Sequence, residues 1–277
     1  MTAAPVVTLL YAPGDRPELM TKALHARADI VVLDLEDAVA APRKAAARDA
    51  VAEVLTGTDR PVQVRVNPSG TPWHNDDLAL VAGLHPGVGL RLPKVVAPGE
   101  VVALARRMPG HPLHLLVESA LGVERAFSLA SADPAVASIG LGEADLRSDL
   151  RSTSDEGLAY ARSRVVVAAR AAGLPSPAMS VYPHVRDTEG LRASCLRGRA
   201  LGFCGRAAIH PAQLDVIRES FAPSHDEVAR AREVVERLGG AQSAGVGVVV
   251  LEDGTFLDAA MVEQARWVLA LAAATEG

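Results

Sequence analysis

Residues 6–35 read VVTLLYAPGDRPELMTKALHARADIVVLDL: an apolar run, a turn, a helical stretch and a second apolar run. The two apolar runs, residues 6–11 and 30–35, are short, rich in Val, Ile and Leu and bounded by turn residues, which is typical of buried parallel strands. A dinucleotide-binding sheet needs a GxGxxG turn after its first strand, and YAPGDRPE at residues 11–18 cannot provide one. The segment therefore predicts a strand–helix–strand unit of another α/β fold.

Six more apolar runs follow, and stretches with helical periodicity separate them. Together the eight predicted strands are residues 6–11, 30–35, 62–66, 89–92, 113–117, 137–141, 179–181 and 206–209. The composition does not change along this part of the chain, so the alternation fits either a closed barrel or an open doubly wound sheet. The count of eight favours a single (β/α)8 TIM barrel, which we expect to span residues 1–221.

Residues 222–277 form a tail that is too short to be an independent domain. Its sequence predicts a helical segment near 226–238, a glycine-rich stretch at 239–247, a hairpin at 248–256 with the turn Glu252-Asp253-Gly254, and a last helix from about Ala259. We expect this C-terminal extension to be a lid that packs on its own barrel or on a neighbouring subunit.

Bulk properties narrow the functional classes. The 277 residues are 49% hydrophobic and 22% charged, enough for one large core, and the net charge of -5 leaves no broad basic surface for nucleic acid. No apolar run reaches the roughly 20 residues that span a bilayer, and the N-terminus lacks a basic region and cleavage motif. Cys195 and Cys204 have no metal-binding spacing. We therefore expect a cytoplasmic protein with reduced thiols, no nucleic acid and no membrane.

Polar side chains follow nearly every predicted strand, at the end where active sites of such barrels lie. Any one acid could merely cap a helix, but a full ring of charges directed at one mouth must be paired, solvated or bound to a ligand. The sequence therefore predicts an active site there. The ring consists of Arg16, Asp34, Glu36, Asp37, Arg65, Asn67, Lys94, Glu118, Glu143, Asp145, Tyr182 and His210.

The acids that follow strands five and six are the candidate metal ligands. Glu118 ends the fifth strand, and Glu143 and Asp145 follow the sixth. Adjacent parallel strands lie about 4.8 Å apart, so these carboxylates can share one hard cation. Magnesium takes one or two carboxylates and completes its shell with water and substrate oxygens. We expect a magnesium site that is open to substrate.

Two basic residues face these acids. Arg65 presents a planar fork suited to a carboxylate, and Lys94 is a point charge. Either could instead neutralise Glu36 and Asp37. We expect both uses together, with Arg65 the better candidate for contact with substrate.

The motifs at the strand ends resemble the citrate lyase beta subunit-like branch of the HpcH/HpaI aldolase superfamily. The similarity runs from residue 12 to residue 213 and covers nearly the whole predicted barrel. In chain order the matching stretches are APGDRP, VVLDLEDAV, VRVNPSGTPW, LPKV, LVESALGV, GEADLRSDL, SVYP and AIHPAQ.

The resemblance implies a magnesium-dependent lyase or aldolase that acts on acyl-CoA thioesters. It places the metal on the positions of Glu118 and Asp145. Arg65 matches an arginine that grips the oxo-acid or its carboxylate, and Glu36 and Asp37 match acids that order this arginine and metal-bound water.

The resemblance also covers the rim and the tail. Arg16 and Lys94 match basic positions at the mouth, where Arg16 would contact substrate or CoA. The tail stretch DGTFLDAAMVEQAR looks like the family's lid, whose aspartate corresponds to Asp258 and often comes from the neighbouring subunit of a trimer. An ordinary N-cap of the last helix is the other interpretation of Asp258. A homo-oligomer, trimer or hexamer, is expected.

The hypothesis is reversible cleavage of a beta-hydroxyacyl-CoA, such as a malyl, citramalyl or citryl thioester, into an acyl-CoA and an oxo-acid. Magnesium would lower the pKa of the alcohol, Arg65 would hold the carboxylate, and Asp258 would exchange a proton with the thioester enolate. Two alternatives stay open: a pyruvate-type aldolase that does not need CoA, and a citrate lyase beta-like subunit that needs partner chains.

Overall fold

Strands and helices alternate along the chain. The computed structural model describes residues 4–243, 249–250, 256–257 and 259–276. The strands are β1 (Thr8–Pro13), β2 (Ile30–Asp34), β3 (Val62–Arg65), β4 (Gly89–Leu92), β5 (Leu113–Val117), β6 (Val136–Leu141), β7 (Ala178–Met179), β8 (Gly205–Ala208), β9 (Val249–Val250) and β10 (Phe256–Leu257). The helices are α1 (Pro17–His25), α2 (Lys44–Leu55), α3 (His74–Ala82), α4 (Pro98–Arg107), α5 (Ala120–Glu124), α6 (Ala126–Ala130), α7 (Glu143–Asp149), α8 (Ala159–Ala171), α9 (Thr188–Ala200), α10 (Leu214–Phe221), α11 (His225–Ser243) and α12 (Ala259–Glu276).

The first eight strands form one parallel sheet that curls into a nearly closed barrel. Their order is β6-β5-β4-β3-β2-β1-β8-β7, so β6 and β7 stand at the two ends of the hydrogen-bonded ladder. At the mouth this seam is bridged by a side chain, because the N–H of Glu143 donates to Ser180 Oγ at 3.3 Å. The predicted (β/α)8 barrel is confirmed.

The predicted strand positions are close to those observed, and β1 differs most. The apolar run suggested residues 6–11, whereas the strand begins at Thr8 and ends at Pro13. The carboxylate of Asp29 accepts the N–H groups of Val7 and Thr8, each at 2.8 Å. A side chain therefore binds these two N–H groups where the chain enters the barrel.

The main core lies between the strands and the surrounding helices. Alternate strand residues such as Leu10, Val31, Val64 and Leu90 are buried and pack against helical residues in one large cluster. The inward-facing residues form a second, much smaller apolar cluster around Leu9, Val32 and Ala207. Elsewhere the inside of the barrel carries polar side chains, namely Gln63, Arg65, Arg91, His114 and Ser138.

The tail follows the barrel as a helical pair. Helix α12 packs on α11 and on α10. One guanidinium nitrogen of Arg218 donates to the carbonyl of Ala274 at 3.0 Å, and the other donates to the carboxylate of Asp29 at 2.9 Å. Because Asp29 directly precedes β2, the C-terminal end of α12 lies at the end of the barrel where strands begin, away from the mouth.

The tail segment between α11 and α12 contains the predicted hairpin. Strands β9 and β10 pair antiparallel, with Phe256 opposite Val250. The turn predicted at residues 252–254 lies outside the described residues, and so does Asp258. The last helix begins at Ala259, as its sequence predicts.

Two further predictions concern single features of the chain. Within the described residues, no helix combines the length and the apolar character that crossing a bilayer requires. Cys195 and Cys204 are both buried free thiols, as expected from their spacing.

Candidate active site

A cavity of about 430 Å³ opens at the carboxyl ends of the barrel strands. It brings together polar residues from strands that are distant in sequence, as the ring of strand-end residues predicted. Among the side chains that line it are Tyr11, Asp34, Asp37, Arg65, Arg91, Glu118, Glu143, Asp145 and Ser180.

Arg65, on β3, is held mainly by Asp34 at the end of β2. Its Nε donates to Asp34 Oδ1 at 2.8 Å, and its Nη2 donates to Asp34 Oδ2 at 2.6 Å. The two residues are register partners on neighbouring strands, which aligns the fork with the carboxylate. Burial alone would lower the pKa of Arg65, but the hydrogen bonds to Asp34 raise it overall. The arginine is therefore a fixed, permanent cation.

Glu36 joins Arg65 to Lys94. Its two carboxylate oxygens lie 3.0 Å from Arg65 Nη1 and 3.1 Å from Lys94 Nζ. Glu36 is only 3% exposed, and burial raises the pKa of its carboxyl group above the usual range. Asp37 is different: its side chain is 61% exposed, and its carboxylate lies 3.6 Å from Arg65 Nη1. Of the predicted acid pair, Glu36 is locked in place and Asp37 faces solvent.

Glu118 projects into the cavity from the end of β5. Its Oε2 accepts the backbone N–H of Lys94 at 2.9 Å, a contact made from a left-handed Lys94 backbone with φ of 56°. The side chain runs over Gly142, where any Cβ would lie about 2.1 Å from Glu118 Oε1. Burial and the charge of Glu36 raise the pKa of Glu118 to about 7, although the positive charge of Arg65 acts to lower it. The buried carboxyl group of Glu118 is therefore easier to protonate than an exposed one.

The two acids of α7 have different partners. Arg162, on α8, donates from Nε and Nη2 to the two oxygens of Glu143, both at 2.8 Å, and also binds Asp155. Asp145 instead lies beside Lys94, with Oδ2 at 3.4 Å from Nζ. Strand-end position alone does not separate Glu143 from Asp145, whereas the family resemblance places the metal on Asp145. In this arrangement Asp145 is the more accessible of the two carboxylates.

Other predicted residues lie outside this cluster. The side chain of Arg16 is 58% exposed, is 4.0 Å from Glu18, and is not among those lining the cavity. Asn67 donates from its side-chain amide to Asp77 at 2.6 Å, which is a structural contact at the start of a loop. His210 accepts the N–H of Ala212 and so caps a short helical turn.

Several important residues were not singled out from the sequence. The sequence predicts Asp34 only as a strand-end acid, although it is the principal partner of Arg65. The strand-end pattern does not predict Arg162 or Arg91, because Arg162 lies inside α8 and Arg91 inside β4. A weak signal existed for Arg91, since an arginine inside an apolar buried run is unusual.

The barrel and its mouth define a class of (β/α)8 barrel enzyme in which carboxylates from neighbouring strands face a fixed arginine. Residues 7–211 match the family model described as HpcH/HpaI aldolase/citrate lyase. The chain belongs to this family, and the similarity inferred from the strand-end motifs is confirmed.

Relatives with known names cover almost the whole chain. A (3S)-malyl-CoA thioesterase of Cereibacter sphaeroides is 37% identical over 98% of this chain and 96% of its own. An L-malyl-CoA/beta-methylmalyl-CoA lyase of the same species is 31% identical over 93% of this chain and 91% of its own. The crystal structure of CitE from Mycobacterium tuberculosis, in complex with magnesium, acetoacetate and coenzyme A, superposes with a TM-score of 0.81, at 32% identity, over 99% of this chain and 100% of the other.

Proposed function

We propose that the chain is a magnesium-dependent carbon–carbon lyase that cleaves or forms a beta-hydroxyacyl-CoA thioester. One observation carries the proposal: Arg65, fixed by Asp34 and Glu36, shares a single cavity with the carboxylates of Glu118 and Asp145. Relatives named for malyl-CoA chemistry, and a similar structure holding magnesium and coenzyme A, support it.

The residues at the mouth fit a divalent cation. Counted over the described residues, and leaving out Glu143 because Arg162 pairs with it, five carboxyl groups share the mouth with three cationic side chains, so the fully ionised cluster has an excess of two negative charges. The groups are Asp34, Glu36, Asp37, Glu118 and Asp145, and the cations are Arg65, Arg91 and Lys94. Glu118 and Asp145 would hold magnesium, which takes few protein carboxylates and otherwise binds water and substrate oxygens. When bound, it would polarise the substrate hydroxyl and neutralise charge.

The chain's own residues account for the remaining steps. Arg65 would bind the substrate carboxylate with the N–H groups of Nη1 and Nη2 that Asp34 and Glu36 leave free. Asp37, which lines the cavity and is open to solvent, is the carboxylate suited to take the hydroxyl proton. As the carbinol carbon becomes the oxo carbon of the acid, its bond to the thioester α-carbon breaks. The electron pair remains on the thioester as an enolate, which then gains a proton and becomes the acyl-CoA.

Asp258 is the group that we propose for this last proton transfer, acting as a base in the condensing direction. Its neighbour Ala259 begins an 18-residue helix of about 27 Å, and the far end of that helix is anchored where the strands begin. We propose that residues 222–277 form a lid that reaches the mouth of a neighbouring subunit. We therefore propose a trimer or hexamer in which neighbouring subunits share sites. We also propose a cytoplasmic location, in keeping with the two free thiols.

Complementation tests the shared site. Asp258→Asn and Arg65→Met chains, each inactive alone, are mixed after reversible dissociation and assayed together. If Asp258 serves a neighbour, mixed oligomers regain some activity, because one type of site then has both intact residues. Absence of any recovery, with mixed oligomers demonstrated by mass spectrometry, would count against a shared site. Asp258→Asn should leave magnesium affinity unchanged.

Turnover tests the main proposal. The purified chain is incubated with malyl-, citramalyl- and citryl-CoA, with and without magnesium, and the released oxo-acid is trapped as a hydrazone. Magnesium-dependent release from one thioester is expected. Release only from free hydroxy-oxo-acids would indicate the aldolase that does not need CoA, and activity that requires added proteins would indicate a partner-dependent subunit.

Thioester hydrolysis is a second candidate, because the 37% identical relative is named as a thioesterase. The products separate the two reactions. Hydrolysis of malyl-CoA gives malate and free CoA, whose thiol reacts with a disulfide reagent, whereas the lyase gives glyoxylate and acetyl-CoA without a free thiol. We expect oxo-acid to form before any thiol is detected.

A further inference from the structure

Arg91 is a buried cation with no described counter-ion. It lies on β4, faces the inside of the barrel, lines the active-site cavity and is 9% exposed. Its Nη1 donates to the neutral amide oxygen of Gln63 at 2.8 Å. Within the described part of the chain, its Nε has no hydrogen-bond partner and no carboxylate forms an ion pair with it. Most of its donors therefore remain available.

The other cations that converge on this site are neutralised. Arg65 is bound by Asp34 and Glu36, Lys94 lies between Glu36 and Asp145, and Arg162 is paired with acids of its own. Burying a guanidinium without an opposite charge is unfavourable, so an unpaired arginine inside a barrel is a feature that requires a reason. An anionic ligand would remove the unfavourable charge.

Arg91 is also adjacent to Arg65. The two are register partners on β4 and β3, and their guanidinium carbons lie 5.6 Å and 5.2 Å from the ring centre of Tyr11. The aromatic ring therefore lies close to both cations, one already bound to a carboxylate and the other not. Two like charges on neighbouring strands repel each other unless an anion lies near them.

We propose that Arg91 binds a second carboxylate of the substrate, so that the site selects an oxo-acid with two carboxylates. The inference rests on the proposed lyase function and specifies its substrate class. One carboxylate would occupy the position facing Arg65, and the other would reach Arg91 on the neighbouring strand. The corresponding thioester carries a carboxymethyl arm on its carbinol carbon, as in a citryl thioester, in contrast to the malyl and citramalyl types.

Binding of two oxo-acids tests this directly. Oxaloacetate and pyruvate differ by one carboxylate, and their affinities for the magnesium-loaded chain can be measured by calorimetry without any CoA. A charge-assisted hydrogen bond pair predicts that the wild type binds oxaloacetate about tenfold more tightly than pyruvate. Arg91→Met should remove this preference and leave pyruvate affinity within about twofold. Arg91→Lys, which retains the charge but not the fork, should keep part of the preference.

Arg106→Met is the matched control, because Arg106 is exposed on α4 and should not alter either affinity. A wild type without preference would overturn the inference whether or not Arg91→Met folds. The inference would also be overturned if Arg91→Met still preferred oxaloacetate, or if it bound oxaloacetate and pyruvate more weakly by the same factor. If the wild type prefers oxaloacetate but turns over no thioester, the lyase proposal fails and the role of Arg91 stands. If the wild type turns over a thioester but does not prefer oxaloacetate, the lyase proposal stands and the role of Arg91 fails.

Discussion

Arg162 binds both carboxylate oxygens of Glu143 at 2.8 Å. This contact gives Glu143 a different role from Asp145, although the two acids are only two residues apart on α7. The bidentate contact makes Glu143 part of the scaffold and leaves Asp145 to face the cavity beside Lys94. The proposed metal site follows from this difference.

The first prediction concerns magnesium affinity. Asp145→Asn or Glu118→Gln should weaken magnesium binding at least tenfold, roughly the size of effects seen even for groups outside the ligand shell. Glu143→Gln is the control: it should leave magnesium affinity within about twofold and instead destabilise the fold by about 2 kcal/mol, because Arg162 loses its bidentate carboxylate and keeps only Asp155. Calorimetry with magnesium and urea unfolding measure the two effects. Similar metal affinities in Asp145→Asn and Glu143→Gln would refute the assignment.

The second prediction concerns the fixed arginine. Asp34→Asn removes the charge that holds Arg65 while keeping the shape of the side chain, so we expect a loss of about 3 kcal/mol in unfolding free energy. Because the arginine also loses its orientation, kcat/KM should fall by about tenfold or more while magnesium affinity changes little. Steady-state kinetics alongside magnesium titration would check this. Unchanged kinetics in a destabilised variant would mean that Asp34 has only a structural role.

The third prediction concerns the backbone at Lys94. Its φ of 56° is unfavourable for residues with a Cβ, and this conformation directs its N–H to Glu118. Lys94→Gly and Lys94→Ala both remove the ammonium group, so their comparison isolates the backbone. We expect the glycine variant to be more stable by about 1 kcal/mol in urea unfolding. An alanine variant of equal or greater stability would show that the conformation costs little.

The fourth prediction concerns pH. His114 contacts Ser138 Oγ at 2.8 Å inside the barrel, and burial together with the charge of Arg91 lowers the pKa of its ring to about 3. Between pH 6.5 and 3 the unfolded chain binds a proton that the folded chain does not, so stability is lost as pH falls through this window. Since the residue as a whole is not fully buried, we expect the wild type to lose about 1 to 2 kcal/mol more than His114→Asn between pH 7.5 and 5. Parallel pH dependences in urea unfolding would argue against this effect.

The architecture of the barrel was largely predictable from the sequence. Each strand is a short apolar run, and the helices between them show the expected periodicity, so local patterns determine both the number of strands and their order along the chain. Neighbouring residues in the chain could not reveal that β6 and β7 meet at a seam bridged by Ser180, because that contact depends on how the sheet closes.

The convergence of the site residues was predictable, but their pairings were not. Residues at strand ends converge by the geometry of the fold, and Arg65, Lys94, Glu118 and Asp145 do lie together at the mouth. The partner of Glu143 lies 19 residues further along the chain, so strand-end position alone could not separate Glu143 from Asp145. The family resemblance favoured Asp145, and the position of Arg162 supplies the physical reason. Arg16 matched a family motif, yet in this chain it points to solvent.

The unequal distribution of apolar residues between the two faces of the barrel wall also has a consequence for how such an enzyme can diversify. Nearly all the packing that stabilises the fold lies between strands and helices, and the lumen contributes only a small apolar cluster. Residues such as Gln63, Arg91 and His114 can therefore be exchanged with less risk to folding than their helix-facing neighbours. New specificities can arise from the lumen of the barrel while its outer shell is retained.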